Sequence, residues 1–414
     1  MTQPDHTTLT GEQVRALVDR YASGPLAEAY AHLDGVAEPA LTEVPVLTKD
    51  DFRAALPGTV ARARDARFGS LVYASGGTTA SPKLSLIPSH MFVRDVAAHW
   101  NPLTADDVLL NYDTPGLLSS AHNFFNGLAE FTGAVSVPLG AVDDERVPAW
   151  LDTVESLGVT AFNGTQSQIA QLVRLCAAAG RKPPAFRKVL WNGEAFSASA
   201  AALVREQLPD TELHGIYGST ETWVIGHNGL GCDLDTFHVL PYQHIELDEG
   251  MILVTNTHPD CLNPVLRYRI GDRGTWVDCP CGRPGPALRV HGRDDPQLKF
   301  LSILVTPQEV AGAAHAVPAV TGVQVVMVDH GAAEERMELL VTLAPGTDTD
   351  GAVAEVRHRV LTDVYRLGFE VAAVPQAFEV RAVERLWVNP RSNKTPLLRH
   401  RSGSDTEETW NGNA

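Results

Sequence analysis

From about residue 70 onward, short β-rich runs alternate with helical stretches, and this alternation constrains the fold more than any other feature of the chain. The runs cover 71–73, 108–110, 135–137, 160–162, 189–191 and 215–217. Between them lie stretches such as the one carrying Ile169, Leu172, Val173 and Cys176 at helical spacing on one face. Strands separated by helices imply right-handed crossovers and a mostly parallel sheet covered by helices, so an α/β fold is predicted. Upstream, Thr10-Gly11-Glu12-Gln13 reads as a capping box, and Val14, Leu17, Val18 and Tyr21 follow on one helical face. After Asp295 the pattern restarts on a smaller scale. Pro307-Gln308-Glu309-Val310 opens a helix, 323–328 and 339–343 read as strands, and 353–361 reads as a helix. The expected organisation is a large N-terminal domain over 1–292, a hinge at 293–296, a small mobile α+β domain over 297–400, and a polar, disordered tail over 401–414.

Ligands of such sheets gather beyond the carboxyl ends of strands. The run 71–73 leads there into Ser75-Gly76-Gly77-Thr78-Thr79-Ala80-Ser81-Pro82-Lys83. Two glycines let the backbone approach a ligand closely, the hydroxyls and amides donate to phosphate oxygens, and Lys83 adds a positive charge. It is not a Walker A loop, which needs Gly-Lys-Ser/Thr opening a helix, whereas Pro82 precedes this lysine. Taken alone, the segment also fits an ordinary polar turn.

Four later segments weigh against the plain turn: Tyr217-Gly218-Ser219-Thr220-Glu221, Arg267-Tyr268-Arg269-Ile270-Gly271-Asp272, Gly292-Arg293-Asp294-Asp295 and Pro390-Arg391-Ser392-Asn393-Lys394. With the first loop, their identity and order resemble the adenylate-forming superfamily, in the compact phenylacetate–CoA ligase branch and its relatives that activate aryl acids in antibiotic pathways. The resemblance runs from about residue 70 to residue 399. It implies an ATP- and Mg²⁺-dependent enzyme that adenylates a carboxylic acid, releases pyrophosphate and passes the acyl group to CoA, a carrier-protein thiol or another acceptor. An aromatic acid is expected.

The resemblance also assigns roles to residues of this chain. Ser75, Gly76, Gly77, Thr78, Thr79 and Lys83 would clamp the β- and γ-phosphates. Tyr217 and Gly218 would flank adenine, Thr220 would bind the α-phosphate, and Glu221 would hold Mg²⁺, which favours one carboxylate plus phosphate oxygens. Asp272 would accept from the ribose hydroxyls, with Arg293 nearby, and Asp295 would be the hinge. Lys394 would bridge the acyl carboxylate and the phosphate. The acid pocket would form around His122, Phe124, Asn163, Gly164, Trp191, Gly193 and Glu194. For His122, Phe124 and Trp191 plain core packing is the commoner use, and the Tyr217–Glu221 segment equally fits a strand end with a helix cap.

Three positions depart from the family pattern: Ala80 and Asn393 stand where glycine is usual, and Ser302 replaces a glycine bordering the thiol-acceptor tunnel. Adenylation is expected to be intact and CoA thioester formation weaker. Two other readings stay open. One is adenylation of a non-carboxylate oxyanion such as nitrite, and the other is a degenerate relative that binds nucleotide or acid without turnover.

Cys232, His238, Cys279 and Cys281 form Cys-x5-His and Cys-x-Cys-Gly-Arg segments that flank the Asp272 strand. Three thiolates and one imidazole suit a closed structural zinc site, and phenylacetate–CoA ligase relatives carry a similar Cys-x-Cys-Gly-Arg run. Unliganded turn cysteines are the alternative. The five cysteines are too few and odd in number for a disulfide framework. A net charge of −17 repels nucleic acid. No apolar run is long enough to span a bilayer, and the N-terminal residues carry no apolar signal core. A cytoplasmic protein is expected, and a homodimer is left open. Lysine is scarce, at Lys49, Lys83, Lys182, Lys188, Lys299 and Lys394 only, yet two of these fall inside the motifs.

Overall fold

A computed structural model of the chain describes residues 9–66, 68–74, 83–116, 118–142, 144–196, 198–293, 298–301, 303–332, 334–390 and 393–402. The fold is α/β. It divides into two compact units. The first draws on Met1–Asp107, Pro115–Pro138 and Glu212–Asp294, the second on Val108–Thr114, Leu139–Thr211 and Asp295–Ala414.

In the first unit the predicted capping box closes: Gln13 N–H donates to Thr10 Oγ1 at 3.2 Å, and Thr10 N–H to Gln13 Oε1 at 2.9 Å. It starts the helix Gly11–Tyr21, which buries Val14, Leu17, Val18 and Tyr21. These side chains join a core with Leu47, Phe52, Val254, Leu266 and Tyr268, each fully buried apolar side chain contributing roughly 1.5–3 kcal/mol. Behind that core lies an antiparallel ladder. Its strands run Gln243–Asp248, Met251–Asn256, Tyr268–Val277, Ala287–Arg293, Thr236–Val239, Trp223–His227 and Glu212–Ser219 across the sheet. The strand Ser70–Ala74 pairs antiparallel with Leu84–Pro88. Two runs read from the sequence as members of a parallel sheet, 71–73 and 215–217, therefore lie in antiparallel pairs here. The reason is that a returning strand follows the first after nine residues and the second after three, shorter than the dozen or more that a parallel crossover needs.

The parallel part is in the second unit, where Val108–Asn111, Ala161–Gly164 and Lys188–Trp191 pair in register. Helices Val147–Ser156 and Gln166–Ala178 make the connections around Ala161–Gly164. Thr165 caps the second of these by accepting from Gln168 N–H, while Gln168 Oε1 accepts from Thr165 N–H at 2.6 Å. The same unit holds a four-stranded sheet in the order Phe378–Ala382, Arg336–Leu343, Val320–Val328, Leu398–Arg401. Helices Pro307–His315, Thr349–Asp363 and Tyr365–Ala373 cover it. The helix and strands expected after residue 306 are these elements. Among the described residues, no helix is long and apolar enough to cross a membrane.

Candidate active site

Two groups of predicted residues gather, one in each unit. In the first unit the strand Glu212–Ser219 carries Tyr217 and Gly218 into a tight turn. Ser219 and Thr222 hydroxyls hold that turn at 3.0 Å from each other. Gly218 has no alternative, because a Cβ there would run into the carbonyl oxygen of Trp223. The turn places Thr220 half-buried and Glu221 only 3% exposed.

Glu221 is held from several sides. Its carboxylate pairs with the Lys83 ammonium and accepts from the Tyr268 hydroxyl at 3.4 Å. Asn263 donates to its backbone carbonyl at 3.0 Å while accepting from Leu86 N–H at 3.0 Å, which ties this turn to the strand after Lys83. Burial works to raise the Glu221 carboxyl, but the Lys83 ammonium outweighs it and holds the group below the usual range. A carboxylate this enclosed stays ionised only beside a cation.

Asp272 lies on the strand Tyr268–Val277, opposite Arg293 in the ladder. The Tyr217 hydroxyl donates to Asp272 Oδ2 at 2.7 Å, and Arg293 Nε lies 3.7 Å from Oδ1. Burial first, and then the Asp272 charge, push the Tyr217 phenol well above its usual range, so it remains a donor. The Tyr217 ring lies 5.3 Å from that of Phe237, tilted 32°.

Sequence reasoning missed Lys49. It opens the helix Lys49–Ala54, and its ammonium lies 3.1 Å from where a Cβ on Gly271 would stand. Burial and the neighbouring Arg293 and Lys83 charges lower it, against the pull of Glu221 and Asp272. Its scarcity was the available signal.

His122 and Phe124 are buried in the same unit, Phe124 edge-on to Phe125 at 5.1 Å and to Trp223 at 5.7 Å. Ser75, Gly76, Gly77, Thr78, Thr79, Asp295 and Ser302 lie outside the described residues.

In the second unit, the ends of the parallel strands carry Asn163, Gly164 and Trp191. Asn163 is fully buried and donates to Asn111 Oδ1 at 2.9 Å and to Asp113 Oδ2 at 2.8 Å. Asn192 donates to the same Asp113 oxygen at 3.0 Å. Trp191 is buried, its ring 5.5 Å from Phe196. Gly164 abuts Gln168 Oε1, 2.6 Å from where a Cβ would lie. Beyond Trp191 the chain turns at Gly193 with φ +76, and the Lys394 side chain rests on it: a Cβ at Gly193 would sit 2.8 Å from Lys394 Cε. Lys394 follows Asn393, whose φ of 53 is the left-handed conformation that asparagine tolerates better than most residues. Glu194 accepts from Ser167 and from Thr395 N–H.

Cys232, His238, Cys279 and Cys281 also converge, their donor atoms all within 4.8 Å of one another. Pairing of Leu288 with Phe237 brings the two segments together across the sheet. His238 Nε2 lies 3.2 Å from Cys281 Sγ. Tetrahedral zinc with bonds of about 2.3 Å to sulfur needs donors roughly 3.7 Å apart, so small side-chain adjustments suit this donor set to that ion.

The first unit thus holds a buried lysine–carboxylate pair and a second carboxylate that accepts from a tyrosine; the second holds a lysine on a tight turn. Comparison with known proteins gives the family. The chain is 23% identical over 241 residues to the indoleacetate–lysine synthetase of Pseudomonas savastanoi, spanning 56% of this chain and 60% of that protein. It superposes on 2-hydroxyisobutyryl-CoA ligase in its postadenylation state with 2-HIB-AMP (TM-score 0.66, 17% identity, 99% of this chain and 93% of that one). It also superposes on ATP-bound MatB of Rhodopseudomonas palustris (TM-score 0.51, 16% identity, 78% and 66%). The profile of AMP-binding enzymes matches residues 26–285, more than half of the chain, which therefore belongs to the AMP-binding enzyme family.

Proposed function

We propose that this chain adenylates a carboxylic acid with ATP, releases pyrophosphate, and hands the acyl group to a nucleophile. The observation that carries this reading is the buried Lys83–Glu221 pair together with Asp272 on the strand Tyr268–Val277, whose Tyr268 hydroxyl reaches Glu221. A pure binder has no need to enclose a carboxylate beside a lysine, whereas in-line attack on the α-phosphorus needs fixed charge where phosphate oxygens gain it. Glu221 would hold Mg²⁺, which supplies charge neutralisation at the phosphates. Asp272 would accept from the ribose hydroxyls, and Lys394 would sit between the acyl carboxylate and the phosphate.

An aromatic acid fits the name of the indoleacetate–lysine synthetase, and that relative also supports an amine as acceptor. The neighbouring structure that contains both 2-HIB-AMP and CoA supports CoA instead (TM-score 0.58). The test is acid-dependent pyrophosphate exchange over aryl and alkyl acids, indole-3-acetate and phenylacetate among them. Product formation is then measured with CoA, with lysine and with neither. Exchange with no acid in the panel would overturn the reading. Rapid CoA thioester formation would refute the weaker-thiolation expectation drawn from Ser302.

Two variants separate the roles of the carboxylates. Glu221→Gln is expected to lower turnover at least tenfold and to raise the Mg²⁺ concentration needed for half-maximal exchange. Asp272→Ala is expected to weaken ATP and AMP binding about a hundredfold or more, because it removes two hydrogen bonds to a charged acceptor worth about 1.5–3 kcal/mol each. Unchanged nucleotide affinity by calorimetry in Asp272→Ala would remove the ribose role.

We further propose that Cys232, His238, Cys279 and Cys281 bind structural zinc. Three thiolates and one imidazole, the donors that converge there among the described residues, fit that use.

A further inference from the structure

We infer that Glu194 is the positioning residue for Lys394, a carboxylate latch that holds the Lys394 turn against the end of the parallel ladder. The inference rests on the adenylation reading for its functional half and on geometry alone for its structural half.

The two oxygens of Glu194 serve different parts of the chain. Oε2 accepts from the Ser167 hydroxyl at 2.7 Å and from Ser167 N–H at 3.2 Å, in the first turn of the helix Gln166–Ala178. A helix start offers unpaired N–H groups and a partial positive charge, which favour a carboxylate there. Oε1 accepts from the backbone N–H of Thr395, the residue after Lys394. One side chain therefore joins a rigid helix of the parallel layer to the peptide group next to the lysine.

Further hydrogen bonds shape the chain around the lysine. Asn393 N–H donates to the Asn389 carbonyl at 2.8 Å, and Asn389 N–H to the Lys394 carbonyl at 2.9 Å. Gln324 holds the flanking carbonyls of Pro396 at 2.8 Å and Trp387 at 3.1 Å. These bonds join the lysine segment to Asn389 and to the strand Val320–Val328. Glu194 aims the turn, and Gly193 completes the seat by leaving bare the place where Lys394 Cε rests. Burial raises the Glu194 carboxyl; the Thr395 and Ser167 hydrogen bonds and the Lys394 charge oppose this. Burial prevails, so the group lies above the usual carboxylate range, while its donors and the nearby ammonium work toward the charged form.

A latch of this kind bears on one half-reaction. Holding Lys394 in place matters while the adenylate forms and not while a finished adenylate is consumed. Glu194→Gln keeps size and one acceptor oxygen but presents an NH₂ to a donor. It is expected to lower kcat for acid-dependent pyrophosphate exchange about tenfold or more, with KM for ATP within twofold. Consumption of a supplied acyl-adenylate by its acceptor should fall at least threefold less than exchange does. Ser167→Ala, which removes one donor only, should fall between.

The test without catalysis is competitive acetylation with acetic anhydride, read by mass spectrometry as the rate at Lys394 relative to Lys188. Glu194→Gln is expected to raise that ratio at least threefold with an unchanged unfolding midpoint. If the ratio rises and no acid supports exchange even in the wild type, the latch stands and the adenylation reading falls. An unchanged ratio, or equal losses in both half-reactions, overturns the latch. If Glu194→Gln does not fold, the Ser167→Ala ratio decides: no increase there overturns the latch as well.

Discussion

Replacing Lys394 with alanine is expected to lower acid-dependent pyrophosphate exchange by about a hundredfold or more, the scale of losing one aligned donor to developing charge. ATP binding should persist within a few-fold, because Lys83, Glu221, Asp272 and Tyr217 form a separate cluster in the first unit. A flexible stem ending in a point charge suits a group that must meet two oxygens of different partners. The measurement is the exchange rate at saturating acid, beside ATP affinity by calorimetry. Exchange at the wild-type rate in Lys394→Ala would leave this lysine without a role in adenylation. Loss of ATP binding together with exchange would place it in nucleotide recognition instead.

The second large effect concerns the cysteine–histidine cluster. Protein purified without a histidine tag is expected to contain about one equivalent of zinc, and Cys279→Ser to contain less than a tenth. Structural zinc sites of this kind supply on the order of 10 kcal/mol of apparent binding energy. The two ligand-bearing segments adjoin the strands that present Asp272 and Arg293. Chelation should therefore lower the unfolding midpoint by many degrees and weaken nucleotide binding with it. Metal-free protein with all five thiols titratable in the native state ends the proposal.

Local signals in the sequence were read well where one short segment settles the outcome. The capping box at Thr10 and the helix opening at Pro307 need only their own residues to form, and both did. The left-handed backbone at Asn393 is likewise a property of one residue. Strand pairing is a different matter. Alternation reports that a run is extended and half-buried, not which neighbour it meets, so Leu84–Pro88 passed unnoticed behind the loop ahead of it. Lys49 was hidden for a related reason. Thr48 N–H donates to Asp51 at 2.9 Å, a cap visible in sequence. The docking that brings this helix start beside Gly271 comes from Leu47 bridging to Tyr268, far along the chain. The Ser167–Glu194 contact joins two segments whose sequences carry no mark of each other. The convergence of Cys232, His238, Cys279 and Cys281 was legible because thiol and imidazole chemistry names its own partners.

The pairing of Lys83 with Glu221 makes charge entry into this site a coincidence condition. If Lys83 leaves to meet a polyphosphate alone, buried Glu221 keeps the Tyr268 hydroxyl but loses its paired ammonium. If Glu221 turns to a cation alone, Lys83 is left as an unmatched ammonium at 13% exposure. Each exchange is unfavourable by itself, since either buried charge loses its counter-charge. Made together they cancel, the lysine moving to phosphate as the carboxylate acquires its new partner. Under the proposed chemistry the site would act as a logical AND, admitting nucleotide and divalent cation together and disfavouring either one arriving singly.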